Sequence, residues 1–594
     1  YNLVDTAPKR TALIKELEAA PEFCFDTETT GLDPLVADII GMSFSCKKGE
    51  ASYVPLLGNE EEVISILNEF RHLFENEEKI IIAQNLKYDL KILHKYGLSI
   101  KGKVFDTMIA HYILHPDSRH NMNVLAETFL NYRPISIETL IGKKGKNQTS
   151  MRDADLNKVS EYAGEDADIT FQLKEVFGPL LEKDKLTDLF NNIEMPLVQV
   201  LAEMEEEGIR LDVDTLKAFS NELTADLTDL EKDILKMAGT DFNIDSPKQL
   251  GQILFEVLVI TDKPPKTKTG QYSTSEDVLA KLTGKHEIVE KVLSYRSLKK
   301  LKTTYADSLP NEVSEMTGRI HTTYSQTIAA TGRLSSVSPN LQNIPIKTAR
   351  GREIRKAFIP RDSNHLLLSA DYSQIELRII AALSGDENMI AAFKNNEDIH
   401  TSTAAKIFGV KPDEVDREMR TKAKSVNFGI IYGVSSFGLA QNINSSRSEA
   451  KEIIDSYFAQ YPGVRQYMDQ SIENARKQGY VETIMKRRRY LRDINSSNGI
   501  VRGAAERNAI NAPIQGSAAD IIKLAMINIH RQMEKENFSS KMLLQVHDEL
   551  VFDARKDELD RLKILVRQNM EHAVKLDVPL IVEMNAADNW LDAH

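Results

Sequence analysis

His365-Leu-Leu-Leu-Ser-Ala-Asp371 and Met542-Leu-Leu-Gln-Val-His-Asp548-Glu-Leu-Val-Phe552 decide how this chain is read. The first is an apolar run that delivers an acid at its C-terminal end, which predicts a buried strand. Tyr372-Ser-Gln-Ile-Glu-Leu-Arg378 then predicts the opening of a helix. In the second stretch two apolar strand halves flank His547-Asp548-Glu549, which reads as the tip of a hairpin. One buried strand ending in an acid is often purely structural. Two such elements are better explained by carboxylates that hold divalent metal ions. Asp371 and Asp548 are the candidate ligands, with Glu549 beside them.

Between them lies Arg420-Thr-Lys-Ala-Lys424-Ser-Val-Asn-Phe428-Gly-Ile-Ile-Tyr432-Gly433. Arg420, Lys424, Phe428 and Tyr432 recur every four residues. Each step overshoots a helical turn by roughly 40°, so they form one slanting stripe on a helix. Cations suit a triphosphate, and aromatics suit a sugar and base.

A second acidic constellation stands near the N-terminus. The strand-like Phe23-Cys24-Phe25 runs into Asp26-Thr27-Glu28, and residues two apart on a strand share a face. Asn85 and Asp89 are four apart on a predicted helix. Tyr162 and Asp166 repeat that spacing in Tyr162-Ala-Gly-Glu-Asp166. Two divalent metals need several hard oxygen ligands, which Asp26, Glu28, Asp89 and Asp166 supply. Tyr162 is placed to orient an attacking water. The neighbouring acids Asp33, Glu165 and Asp168 are expected to be solvated.

The bulk numbers set bounds. A chain of 594 residues implies several domains or subdomains. Its 42% hydrophobic and 27% charged composition is that of an ordinary soluble protein, with no membrane-spanning run and no signal-peptide pattern. Two cysteines, Cys24 and Cys46, argue for a reducing compartment. Tyr1 in first position reads as a cut or processed fragment. The net charge, 75 − 88 = −13, argues mildly against nucleic acid as partner. Local basic runs matter more: Arg296/Lys299/Lys300/Lys302, Arg350/Arg352/Arg355/Lys356 and Lys486/Arg487/Arg488/Arg489. The first lies on a helix whose apolar stripe is Ile288, Val292, Tyr295, Tyr305 and Leu309, and Arg296 and Lys299 on its other face suggest DNA contact.

The first ~185 residues alternate strand and helix patterns, and Ile80–Ala83 reads as another buried strand. Ile193, Leu197, Leu201 and Met204 then make a helical stripe that Gly208 stops. Residues 263–277 predict an exposed loop, and the pattern is mixed α/β from about Thr317 onward.

The N-terminal acids resemble the three-motif 3′–5′ exonuclease domain of proofreading polymerases and RNase D-like enzymes. The longer series resembles DNA polymerase family A in its Klenow-type large-fragment form. The residues that carry it are Thr331-Gly-Arg-Leu-Ser-Ser, Pro339-Asn-Leu-Gln-Asn-Ile-Pro345, Asp371 through Arg378, Asp398-Ile-His400, Arg420 through Gly433, Gln545 through Glu549 and Asn589-Trp590. This resemblance implies an α/β and α+β multidomain chain. An RNase H-like 3′–5′ exonuclease domain would occupy 1–187 and a right-hand polymerase domain 188–594. The thumb would span about 210–315, the palm about 316–383 and 498–594, and the fingers about 384–497.

It further implies template-directed addition of deoxynucleotides to a primer, with proofreading, in repair and gap filling. Two Mg²⁺ ions would serve each site, with Mn²⁺ as an alternative. Asp371, Asp548, Glu549 and Lys424 would be catalytic, Glu549 either by supporting the acid pair electrostatically or from a position behind it. Arg420, Lys424 and His400 would meet the triphosphate. Phe428 would pack on the sugar and, as Phe rather than Tyr, discriminate against dideoxynucleotides. Tyr432 would lie near the templating base, and Glu376 would exclude a ribose 2′-OH. Gln374, Arg333, Arg507, Asn511, Gln515 and His547 would contact primer-template. The chain would act as a monomer, away from membranes, at the bacterial nucleoid. Two positions depart from the family pattern: Lys486 stands where Gly is frequent, and Arg492 where Pro is. No 5′ nuclease segment is expected within these residues. A single-subunit RNA polymerase is the first rival reading, opposed by Glu376 and the exonuclease acids. A nuclease or DNA-binding scaffold with an inactive polymerase half is the second, opposed by Asp371, Lys424 and Asp548.

Overall fold

The computed structural model describes residues 1–346 and 348–594. Its N-terminal part is built on a six-stranded sheet of β1 (Asn2–Leu3), β2 (Glu22–Thr29), β3 (Ile39–Lys47), β4 (Glu50–Pro55), β5 (Ile80–Ala83) and β6 (Lys103–Asp106). The order is β1-β4-β3-β2-β5-β6. β2 is antiparallel to β3 and parallel to β5, so the strand carrying Asp26 and Glu28 is central. Phe23, Cys24 and Phe25 are fully buried, as a strand covered on both faces requires. α1 (Leu86–Lys95) follows β5, and α2 (Leu156–Lys183) packs across β2, β3 and β4. Gly41 stands opposite Glu28 on β3. A Cβ there would overlap the Tyr53 hydroxyl, so the Tyr53 ring reaches its place only because residue 41 lacks a side chain.

Two expectations need correction here. Asn85 does not lie on α1; it precedes the helix with a left-handed φ of 62°. Asp33 is exposed, but Glu165 and Asp168 are buried rather than solvated. Glu165 accepts from Tyr132 Oη and from Ile135 N at 2.7 Å. Asp168 accepts from Tyr1 Oη at 2.9 Å and Gly49 N at 2.8 Å. These donors come from elsewhere in the chain and make burial of the acids tolerable.

A π-helical turn at Phe190–Glu194 leads into α3 (Met195–Glu207), which Gly208 ends with a φ of 63°. Ile193, Leu197, Leu201 and Met204 are all buried. α4 (Val213–Ala238) and α5 (Glu287–Leu301) pack together over their own core, which includes Ile234, Leu254, Val292 and Tyr295. α5 is shorter than its stripe predicts. It passes into a π-helical turn at Lys302–Ala306, and Leu309 begins a separate 3-10 turn. Nor is the 263–277 segment wholly exposed. Thr274 is buried, and the Tyr272 ring packs 5.3 Å from that of Phe255.

The C-terminal part is organised around a fully antiparallel sheet. Its first strand, β7 (His365–Tyr372), is followed by α6 (Ile375–Ser384), α7 (Arg417–Ile431) and the 37-residue α8 (Gly499–Lys535). β8 (Lys541–Val546), β9 (Glu549–Arg555) and β10 (Val582–Ala587) complete it in the order β8-β9-β7-β10. One continuous apolar core, containing Phe105, Phe190, Leu201, Ile527 and Phe552, joins this sheet to the N-terminal one. Among the described residues no helix is long and apolar enough to cross a membrane.

The basic runs are largely consumed within the protein. Arg487 is buried on Glu194 and Asp520, Arg488 meets Glu482 and Asp184, and Arg489 meets Asp117. Arg350 pairs with Glu222 and Asp226, and Lys356 with Glu353. Arg296 is turned into the 263–277 segment, donating to Thr274 O and, over 3.2 Å, to Thr274 Oγ1. Lys299 is paired with Asp245.

Candidate active sites

In the N-terminal site β2 presents Asp26 and Glu28, and α2 presents Asp166. One carboxylate oxygen from each lies within 4.8 Å of the others. Asp89 on α1 stands next to them, its Oδ1 accepting from Thr27 N at 3.1 Å and also from Thr27 Oγ1. Burial pushes Asp26 up to about 7. Burial, followed by the Asp26 charge, raises Glu28, Asp89 and Asp166 well above the usual carboxylate range. Glu28 Oε1 is buried without a hydrogen-bond partner. Desolvated, mutually repelling acids with a free buried oxygen are the donor set a divalent cation satisfies. Tyr162 lies one turn before Asp166 on α2, and burial next to these acids raises its phenol.

In the C-terminal site Asp371, the last residue but one of β7, stands directly opposite Glu549 on β9. Tyr372 N donates to Asp548 O over 3.2 Å, which ties the turn to the strand. The turn is tight because His547 takes a left-handed φ of 55°. Burial, then the Asp548 charge, pushes Asp371 up to about 7. Burial also raises Asp548, against the opposing pull of Arg333 and His547. Like the first set, these are desolvated acids, and Asp371 is raised further by the Asp548 charge, which a divalent cation between them would offset.

Glu549 differs. Its Oε1 accepts from Ser369 Oγ at 2.7 Å and Trp590 Nε1 at 2.8 Å, and its Oε2 lies 3.2 Å from His594 Nδ1. Burial works against its charge, yet the His594, Ser369 and Trp590 contacts hold its pKa below the usual value. Its oxygens are committed to protein donors. The sequence did not place Ser369, Arg355 or His594 in this cluster: Arg355 reads as part of a basic run, Ser369 as one position of the apolar strand, and Trp590 as part of a recognisable motif.

α7 bears Arg420, Lys424 and Phe428, with Tyr432 as the residue that ends it. Lys424 is exposed, whereas Arg420 Nε donates to Asp398 Oδ2 over 2.6 Å. The Phe428 and Tyr432 ring centres are 6.1 Å apart. His400 is 1% exposed, with Nδ1 held 2.9 Å from Asn427 Nδ2, and burial lowers its pKa to about 4. It backs α7 as a neutral imidazole in this conformation.

Glu376 on α6 gathers three separate motifs. Arg333 Nη2 donates to Oε1 over 2.8 Å, the Tyr432 hydroxyl donates to Oε2, and the Asp548 charge is felt at the carboxylate. Burial raises Glu376 to about 7. Gln374, just before α6, has a left-handed φ of 54°. Arg507, Asn511 and Gln515 form one stripe on α8, graded from exposed to half-buried, and Asn511 Oδ1 has no hydrogen-bond partner. A Cβ on Gly433 would come 3.2 Å from Arg507 Cγ, so the end of α7 rests on this stripe. His547 is exposed at its turn. Arg296 and Lys299, with their partners inside the α4–α5 unit, are not brought to this cluster.

Residues 213–592 match the model of DNA polymerase family A. The chain belongs to DNA polymerase family A. Residues 1–182 match a 3′–5′ exonuclease family. The chain is similar to DNA polymerase I of Pseudomonas aeruginosa, at 44% identity over 605 residues that cover 100% of this chain and 66% of that protein. It is likewise similar to DNA polymerase I of Bacillus subtilis, at 44% identity over 557 residues that cover 93% of this chain and 62% of that protein. It therefore spans less than two thirds of the length of these relatives. A solved POL domain of Pol1 from M. smegmatis, in complex with DNA primer-template and dNTP, matches with a TM-score of 0.90 at 36% identity over 100% of both chains. The exonuclease domain followed by a family A polymerase domain is the expected architecture. Domains of both families generally use divalent metal ions, in keeping with the acid clusters described above.

Proposed function

We propose that this chain adds deoxynucleotides to a primer 3′ end under the direction of a DNA template and removes mispaired 3′ nucleotides at its second site. The observation that carries the reading is the convergence of Asp371, Asp548 and Glu376, with Arg333 and Tyr432 closing on the last. The exonuclease domain takes residues 1–187, and the thumb, palm and fingers take the spans expected above. Asp371 and Asp548 would hold two Mg²⁺ ions, and Asp26, Glu28, Asp89 and Asp166 two more, with Mn²⁺ as an alternative. Such ions supply activation of an attacking oxygen and stabilisation of the leaving one.

The protein's own groups do the rest. Lys424 is free to meet a triphosphate, and Arg420 reaches it by leaving Asp398. Phe428 offers a face to the sugar. Glu376, buried and clamped, leaves no room for a 2′-hydroxyl and no partner for it. Arg333, Arg507, Asn511, Gln515 and His547 line the path of the primer-template, where amide groups can reach minor-groove acceptors of any sequence. In the N-terminal site Tyr162 orients water. The chain works as a monomer on DNA in repair and gap filling, at the bacterial nucleoid.

A Mg²⁺-dependent primer-template assay tests this reading. Asp371→Ala should abolish extension and leave 3′ trimming; Asp26→Ala should do the reverse. Wild-type extension by Asp371→Ala, or preferential use of ribonucleotides by the wild-type chain, would overturn it.

A further inference from the structure

Beside Glu549 lies a buried cation. Arg355, 3% exposed, stands in the 3-10 turn Glu353–Ala357 with its guanidinium carbon 4.1 Å from the centre of the Trp590 ring. Its Nη1 is 3.7 Å from Glu549 Oε2, and neither Nε nor Nη1 has a hydrogen-bond partner. Trp590 thus offers its face to Arg355 and its Nε1–H to the other oxygen of Glu549. A guanidinium buried with two unsatisfied N–H groups is a poor contributor to stability, and apolar side chains of similar size commonly replace such groups at no loss. Its placement calls for another reason, and the neighbouring acids supply one. Asp371, Asp548 and Glu549 converge here, and Arg355 feels the charge of both Glu549 and Asp371. Arg333, the other cation nearby, is committed to Glu376.

We propose that Arg355 is a positioning residue for nucleotidyl transfer, an inference that rests on the polymerase reading above. Stacked on Trp590, it holds Glu549 against the floor of the site, so that Asp371 and Asp548 alone present carboxylates to the metal ions. Without the cation the Trp590 ring loses the group it rests on, its bond to Glu549 Oε1 loosens, and Glu549, left with Ser369 and His594, becomes a third acid able to turn toward them. Divalent ions then bind more tightly, while oxygens meant for the triphosphate are displaced and turnover slows.

The test uses the whole chain with Arg355→Met. We expect kcat for extension to fall about tenfold, the usual scale for a group that orients a metal ligand's surroundings. Half-saturation by Mg²⁺ should shift to lower concentration. Primer-template Kd, 3′ trimming and melting temperature should stay at or above wild-type quality. Adding Glu549→Gln to Arg355→Met should bring kcat and the Mg²⁺ requirement to those of Glu549→Gln alone, so that Arg355→Met costs nothing further in that background. Wild-type kcat in Arg355→Met overturns the proposal. So does a loss that follows a lowered melting temperature and ignores Glu549→Gln. If Arg355→Met does not fold, Arg355→Gln takes its place, and the same results support or overturn the proposal. Failure of the wild-type chain to extend primers would instead remove the reading on which the proposal stands.

Discussion

Lys523 donates to Glu194 over 2.7 Å although 329 residues separate them. Arg487 and Gln326 donate to the same carboxylate, and Asp520 balances Arg487. This buried knot ties the helical entry from the exonuclease part to α8 and to the hairpin around residue 487. Burial opposes the charge of Glu194, but Lys523 and Arg487 bring its pKa to about 2. Glu194→Gln leaves two buried cations facing one acid, and should cost about 3–5 kcal/mol. Urea unfolding at neutral pH measures this. Because the folded pKa lies below the ordinary value, the stabilisation is present above about 4.5 and is lost as pH falls toward 2. The gap between wild type and variant should therefore narrow in acid.

Glu376 is clamped by Arg333 and Tyr432. Glu376→Ala opens the space it fills and should raise ribonucleotide use relative to deoxyribonucleotide use by about a hundredfold, within the range that an unpaired hydroxyl can impose. Single-nucleotide incorporation kinetics, read as the ratio of kcat/KM values, check it. An unchanged ratio would remove Glu376 from the sugar-selecting role.

Lys486 occupies a left-handed position, φ 68°, in the turn between Glu482 and Arg487. That backbone state explains why the family pattern favours glycine there. The lysine side chain is exposed and reaches Glu482 only at 3.7 Å, a contact worth little. Lys486→Gly should stabilise the chain by ~0.5–1 kcal/mol, the left-handed strain relieved less the added chain entropy. A thermal melt measures the gain, and a loss would show that the Glu482 contact outweighs the strain.

His111 and His120 face each other through their Nδ1 atoms at 2.8 Å, packed among Phe129, Phe177 and Tyr112. Burial, and in His111 the neighbouring His120, lowers them to about 3 and about 4. The unfolded chain then binds protons at a higher pH than the folded one. The pair's stabilisation is complete above about 6.5 and declines as pH falls through the interval down to about 3. His111→Phe should flatten the fall of melting temperature with pH in that window. An unchanged slope between pH 6.5 and 4 would locate the acid sensitivity elsewhere.

Local pattern carried much of this molecule. Phe23–Phe25, Ile80–Ala83 and His365–Asp371 read as strands because a short apolar run bounded by polar residues has one economical solution. The four-residue spacing of Arg420, Lys424 and Phe428 placed them on one helix, and the ordered motifs told the family. The sequence by itself therefore determined most element types and the architecture, and it singled out the acids proposed for the two sites. Only the tertiary structure decided what those residues face. Glu165 and Asp168 became structural acids because Tyr132, Gly49 and Tyr1 arrive from distant segments. The basic runs turned inward because Glu194, Asp117 and Thr274 wait for them. Glu549 stands opposite Asp371, but its Oε1 is taken by Ser369 and Trp590. The physical reason is the same in each case. A charge has no fixed role until its desolvation and its partners are known, and those depend on contacts between residues far apart in the chain.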